Sequence, residues 1–205
     1  DNYCSTTDTP ISLASGTVDT WGIYIEDNII DFFGEAGQTT SYLNTIGITV
    51  GISNPNINMH DIYVRRNTIY PGWVPAIGNS PGGIAESNCT IYNYFIEENT
   101  IIGIGMGITG STAGQGINLN DLNGCYVLKQ NVVIRNNNIY NCSIGIIPQY
   151  WDNLTIEGNH IYGGVGTDAQ IYVQDSKYCK ILNNTLYDTN SYGVRFTGVS
   201  DYSDV

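Results

Sequence analysis

One short pattern, apolar-x-x-Asn-x-apolar, recurs six times in this chain and limits it to a stack of similar coils. It stands at Ile25/Asn28/Ile30, Val64/Asn67/Ile69, Ile96/Asn99/Ile101, Ile134/Asn137/Ile139, Ile156/Asn159/Ile161 and Ile181/Asn184/Leu186. The steps between asparagines are 39, 32, 38, 22 and 25 residues, so the short steps give the coil and the long ones the same coil with insertions. A second apolar position follows each Asn: Ile48, Ile84, Ile117, Ile146, Ile171 and Val194. Glycine precedes five of these (Gly47, Gly83, Gly116, Gly145, Gly193) and Gln170 the other. Short β-branched runs bounded by Gly and Asn read as strands, and three of them fill so short a coil without room for a helix.

A single coil cannot bury its own apolar face, but stacked coils bury a continuous column. The residues two before each anchor join that column: Ile23, Ile62, Tyr94, Val132, Leu154 and Cys179. The expected fold is all-β, a single-stranded parallel β-helix of at least six coils. Residues 1–20 form a lead-in or cap, and residues 21–205 the β-helix, with loop insertions in the first three coils. Asn at the bend is expected to take left-handed backbone geometry and to hydrogen-bond from coil to coil.

This repeat, from about Trp21 to Phe196, resembles that of right-handed parallel β-helix proteins of the pectate-lyase-like superfamily, NosD-type repeat proteins included. The resemblance implies the fold and its hand. It leaves chemistry open, because that superfamily holds lyases, hydrolases, epimerases, tailspikes and non-catalytic surface proteins.

In a stack, equivalent positions become ladders. The position after the anchor runs Glu26, Arg65, Glu97, Arg135, Glu157, Leu182, and the next runs Asp27, Arg66, Glu98, Asn136, Gly158, Asn183. The alternating signs read as ion pairs that fix register, although arginines among carboxylates also occur in polysaccharide lyases. Two aromatic columns point outward: Tyr24, Tyr63 and Phe95 on one, and Tyr70, Tyr140, Tyr162 and Tyr187 on the other. With Trp73 from an insertion, they are the candidate binding or assembly face, for a glycan or another subunit, the alternative being stacking within the ladder. The insertions at 31–46, 70–82 and 102–115 should cluster on one edge.

Histidine is scarce: His160 reads as a surface ladder member and His60, before Asp61, as a turn residue. The Asp-Asp and Gly-His-Gly signatures of polygalacturonase-like β-helices are missing, as is the Asp-Pro-His-Asp of alginate epimerases, so no catalytic residue is assigned. No cofactor is expected; calcium is the one ion that loop carboxylates (Asp31, Glu35, Glu86, Asp121) could take. Cys89 and Cys125 are the disulfide candidates, and Cys179 reads as a buried hydrophobe. Asn88, Asn141, Asn153 and Asn183 match the N-glycosylation pattern. With few lysines and a start at Asp1, they suggest a secreted mature chain, extracellular or at a cell surface.

The net charge of −12 disfavours nucleic acid and anionic membrane, and the longest apolar run, Ile101–Ile108, is too short to span a bilayer. After Phe196 the chain stops where another strand should begin, with no visible cap. The leading expectation is a non-catalytic extracellular structural protein, a surface or filament subunit that self-associates. The alternatives are a polysaccharide-degrading enzyme or tailspike-like depolymerase, and a carbohydrate-binding adhesin.

Overall fold

The structure, a computed structural model, describes residues 2–5, 11–13, 18–31, 47–50, 58–70, 82–86, 90–102, 115–119, 129–142, 144–164, 169–189 and 192–198. These form three parallel sheets whose strands come from successive turns of the chain. The first sheet holds β1 (Asn2–Ser5), β4 (Asn28–Asp31), β7 (Thr68–Tyr70), β10 (Thr100–Ile102), β13 (Asn138–Tyr140), β16 (His160–Gly164) and β19 (Thr185–Thr189). The second holds β2 (Ile11–Leu13), β5 (Ile48–Val50), β8 (Gly82–Glu86), β11 (Gln115–Leu119), β14 (Ile144–Pro148), β17 (Ala169–Gln174) and β20 (Tyr192–Thr197). The third holds β3 (Thr20–Glu26), β6 (Asn58–Arg65), β9 (Thr90–Glu97), β12 (Lys129–Arg135), β15 (Trp151–Glu157) and β18 (Lys180–Leu182). This is the expected parallel β-helix. Within residues 1–20, β1 and β2 continue two sheets by a further rung, with Asn2 opposite Asn28 and Ile11 opposite Ile48.

The register is the one that the repeated asparagine implies: Val64 lies opposite Ile96, Ile96 opposite Ile134, Ile134 opposite Ile156, and Ile156 opposite Ile181. Val64, Ile96, Ile134 and Ile156 are fully buried, as are Ile69, Ile101 and Ile139 of the first sheet and Ile117, Ile146 and Ile171 of the second. The third sheet has one more inward column than expected: Met59, Ile91, Lys129, Trp151 and Ser176 are all buried. Lys129 is unusual there, with its ammonium over the Trp151 ring at 5.7 Å from the centroid.

The asparagines form a closed hydrogen-bond ladder. Asn67 Oδ1 accepts from the backbone N and Nδ2 of Asn28, and the same pair of bonds recurs from Asn67 to Asn99, Asn99 to Asn137, Asn137 to Asn159 and Asn159 to Asn184. The second amide hydrogen is used as well: Asn67, Asn99, Asn137, Asn159 and Asn184 donate to the carbonyls of Ile25, Val64, Ile96, Ile134 and Ile156.

The left-handed geometry expected of these asparagines belongs to their predecessors. Asp27, Arg66, Glu98, Asn136, Gly158 and Asn183 have φ between 53° and 63°. A left-handed residue makes the bend, and the bend turns the following Asn into the interior. All positive-φ residues among those described fall into four columns: this one, then Gly22/Asp61/Asn93/Asn131/Asn153/Tyr178, then Asn141/Gly163/Asp188, and Tyr150/Asp175/Gly198. Asn, Asp and Gly are the residues that bear this conformation at least cost, which accounts for their abundance.

Gly116 and Gly145, second residues of β11 and β14, serve close approach instead. A Cβ on Gly145 would lie 2.6 Å from Ile161 Cγ2 and 2.9 Å from the Gln170 carbonyl oxygen; one on Gly116 would lie 2.6 Å from the Gly145 carbonyl oxygen. Gly145→Ala is therefore expected to lower unfolding free energy by about 2–3 kcal/mol in urea titration, since the rungs cannot part locally.

Candidate functional site

The outer face of the third sheet gathers the most chemistry. Along it Tyr24, Tyr63 and Phe95 stack, with centroids 4.8 and 4.9 Å apart and planes within 8°. A second stack, Trp21/His60/Tyr92, runs beside it on the far side of the Gly22/Asp61/Asn93 corner, with centroids 5.9 and 4.6 Å apart. Sequence reading missed this column. The signal was the Gly, Asp or Asn three residues before five of the six apolar anchors, with Tyr178 before the sixth, which shifts the alternation by one residue. His60 is accordingly a strand residue and not the turn residue expected; its Nδ1 lies 2.8 Å from Asp61 Oδ2. His160 takes the exposed ladder place expected of it, between Asn138 and Thr185.

The other predicted aromatics lie on a different face. Tyr140, Tyr162 and Tyr187 are register neighbours on the first sheet, Tyr162 and Tyr187 stacked at 5.3 Å, and Tyr70 stands opposite Asp31 on the same sheet. The bend at Asp27/Arg66/Glu98 separates them from Tyr24, Tyr63 and Phe95, so the seven residues make two faces. Trp73, Asn88, Cys89 and Cys125 lie outside the described residues, as do Glu35, Asp121 and most of the insertions. Asn141, Asn153 and Asn183 all occupy left-handed corners. Asn153 Nδ2 donates to Asn131 Oδ1 at 3.3 Å, so these matches to the glycosylation pattern also have a structural reason to be asparagine. Cys179 is buried in its inward column, and Cys142 is buried also. Among the described residues no group of three or more His, Cys, Asp or Glu could hold a metal ion.

The charged ladder pairs rung to rung. Arg65 Nε donates to Glu26 Oε1 at 2.5 Å and Arg135 Nε lies 2.8 Å from Glu97 Oε1. Arg66 holds Asp27 through two bonds, of 2.8 and 2.9 Å, and reaches Glu26 Oε2 at 2.9 Å. The Arg65 guanidinium also lies over the Tyr24 and Tyr63 rings, at 5.7 and 5.5 Å. At the Gly22/Asp61/Asn93 corner itself a polar ladder takes over: Asn93 donates to Asp61 Oδ1 and Asn131 to Asn93 Oδ1.

Three carboxylates of the first two rungs are held below the ordinary carboxylate range: Asp27 by its hydrogen bond from Arg66, Asp19 by the backbone and side-chain donors of Asn58, and Asp61 by Asn93 and then His60. A carboxylate whose pKa is lower folded than unfolded contributes stability above its unfolded pKa, about 3.9, and loses it as pH falls through the folded value. Acidification below about pH 4 is expected to loosen β3 and β6 before β12 and β15, read as earlier loss of protection at their amides in hydrogen exchange.

Stacked short strands, an internal asparagine ladder and left-handed corners define a fold class: the chain folds as a right-handed parallel β-helix. Residues 107–203 match the family model described as right-handed β-helix region. No curated protein matches the sequence. Similar solved structures include a protein of Parabacteroides merdae provisionally assigned as a glycosyl hydrolase, at 13% identity and TM-score 0.43, covering 78% of this chain and 75% of that one. A surface protein and adhesin of Streptococcus pneumoniae has 10% identity and TM-score 0.41 over 98% of this chain and 64% of its own. The A-module of a mannuronan C-5 epimerase from Azotobacter vinelandii has 15% identity and TM-score 0.35 over 95% and 56%. At these values the likenesses carry no argument about activity. Among the described residues no helix is long and apolar enough to cross a membrane.

Proposed function

We propose that this chain is a non-catalytic structural module of an extracellular surface or filament protein, and that it self-associates. The observation behind this reading is the use made of arginine. Arg65, Arg66 and Arg135, the arginines on which a polysaccharide-lyase reading would draw, are each engaged by a carboxylate of the preceding rung. Side chains paired in this way hold strands in register. Incubation with neutral and acidic polysaccharides, with and without calcium, is expected to release no new reducing ends and no unsaturated products, while sedimentation shows association rising with concentration. Product release that disappears in Arg65→Ala with the fold retained would overturn the reading.

One observation favours a carbohydrate-binding adhesin as the second reading. Trp21 and Tyr24, on the third sheet's first rung, are 63% and 60% exposed, and such rings suit sugar faces. Glycan-array binding that is lost in Trp21→Ala would support it.

A further inference from the structure

We infer that the outer face of the third sheet is a two-fold, face-to-face interface between two copies of this chain running antiparallel. This deepens the self-association reading above and rests on it.

The argument comes from what stands in each column when the rung order is reversed. A two-fold axis parallel to the strands, passing between β9 and β12, would lay each column against the same column of a second copy, with the first rung facing the sixth. In the aromatic column, Tyr24 would then meet Lys180, Tyr63 would meet Thr155, and Phe95 would meet Val133 at the centre. In the ladder column, Arg65 would meet Glu157 and Glu97 would meet Arg135. The four inner positions of this column, Arg65, Glu97, Arg135 and Glu157, alternate in sign and are opposite to themselves when reversed, with Glu26 left facing Leu182; this is the self-complementarity an isologous dimer needs. Across the corner, Trp21 would meet Lys177 and His60 would meet Asp152.

The register behind these pairings is continuous from β3 to β18. Lys177, Lys180 and Arg135 are exposed, and Val133, Phe95 and Tyr63 are half-buried. The chain already places cations over rings elsewhere: Arg195 lies 5.1 Å from the Tyr172 centroid, and Lys129 lies over Trp151. Lys180 on Tyr24 and Lys177 on Trp21 would repeat that contact between copies. Side-chain ladders of this kind keep a sheet flat enough for its columns to stay aligned.

Size sets the strength. Six strands at about 4.8 Å, by the four residues of the flat part, bury on the order of 1,000 Å² in total, at the low end of specific interfaces. A weak dimer, visible only at high protein concentration, is what such an area supports.

Sedimentation velocity from low to high micromolar protein is expected to show a monomer–dimer equilibrium. Val133→Asp, which sets a carboxylate against the partner copy's Phe95, should weaken it at least about tenfold. Lys180→Glu, at an exposed position, should weaken it severalfold with the circular dichroism of the native chain. Zero-length amine–carboxyl cross-linking should join Lys180 to Glu26 in the dimer alone, because within one chain they stand five rungs, about 24 Å, apart. Association unaffected by both substitutions, or lacking that cross-link, overturns this interface and leaves self-association standing. A chain that stays monomeric at every concentration overturns both.

Discussion

Replacing Asn137 by leucine is expected to lower the unfolding free energy by about 3–6 kcal/mol, a large share of what holds most domains folded. Leucine has nearly the same shape, so packing is kept and the loss isolates the amide. Asn137 Oδ1 receives Asn99 N at 2.9 Å and Asn99 Nδ2 at 3.0 Å, while its own Nδ2 donates to Ile96 O and to Asn159 Oδ1, both at 2.9 Å. All of these groups are buried, so removing the amide strands two donors and a carbonyl away from water, at about 1–3 kcal/mol each. Asn184→Leu, at the partly buried last position, should cost much less, because water reaches the groups it strands. Urea titrations of the two variants followed by circular dichroism check both the size and the order; equal losses would mean that the ladder is not the buried continuous structure described.

Trp151→Ala should cost a comparable amount, about 3–5 kcal/mol, by a different route. Trp151 heads the fully buried side chains by volume, donates through Nε1 to the Leu119 carbonyl at 3.2 Å and packs at 6.4 Å from the Tyr94 ring. Alanine would leave a cavity between rungs that their backbones cannot close, since each strand is fixed by the two beside it. The loss should also reach Lys129, whose ammonium, 1% exposed as a residue, has that indole beneath it. Lys129→Met in the native background removes the cation from over the ring and should cost less than Trp151→Ala. Thermal unfolding of the three chains separates these effects.

The fold was legible because one residue type at one spacing carries it. Asn28 to Asn184 mark the rungs directly, and every anchor beside them is inward as its alternation required. What failed to show was backbone conformation. Asp61 and Asn93 look like ordinary strand residues, yet their left-handed φ resets the alternation. That one reset hid both the Met59/Ile91/Lys129/Trp151 core column and the Trp21/His60/Tyr92 stack. The aromatic face was legible in part for the same reason: Tyr24, Tyr63 and Phe95 lie after the reset and before the next bend. Tyr70, Tyr140, Tyr162 and Tyr187 lie beyond that bend, and spacing alone gives no angle between the two faces. The glycines before Ile117 and Ile146 were visible as a pattern, but their cause, isoleucines of the adjoining sheet pressed against bare backbone, needs three dimensions.

Residue-resolved hydrogen exchange tests the central claim, one continuous buried asparagine stack, most directly. The backbone amides of Asn67, Asn99, Asn137 and Asn159, each donated to the side chain of the next rung, should be among the slowest in the protein and open only with global unfolding. Exchange at these four as fast as at exposed Tyr187 and Asp188 of β19 would contradict it.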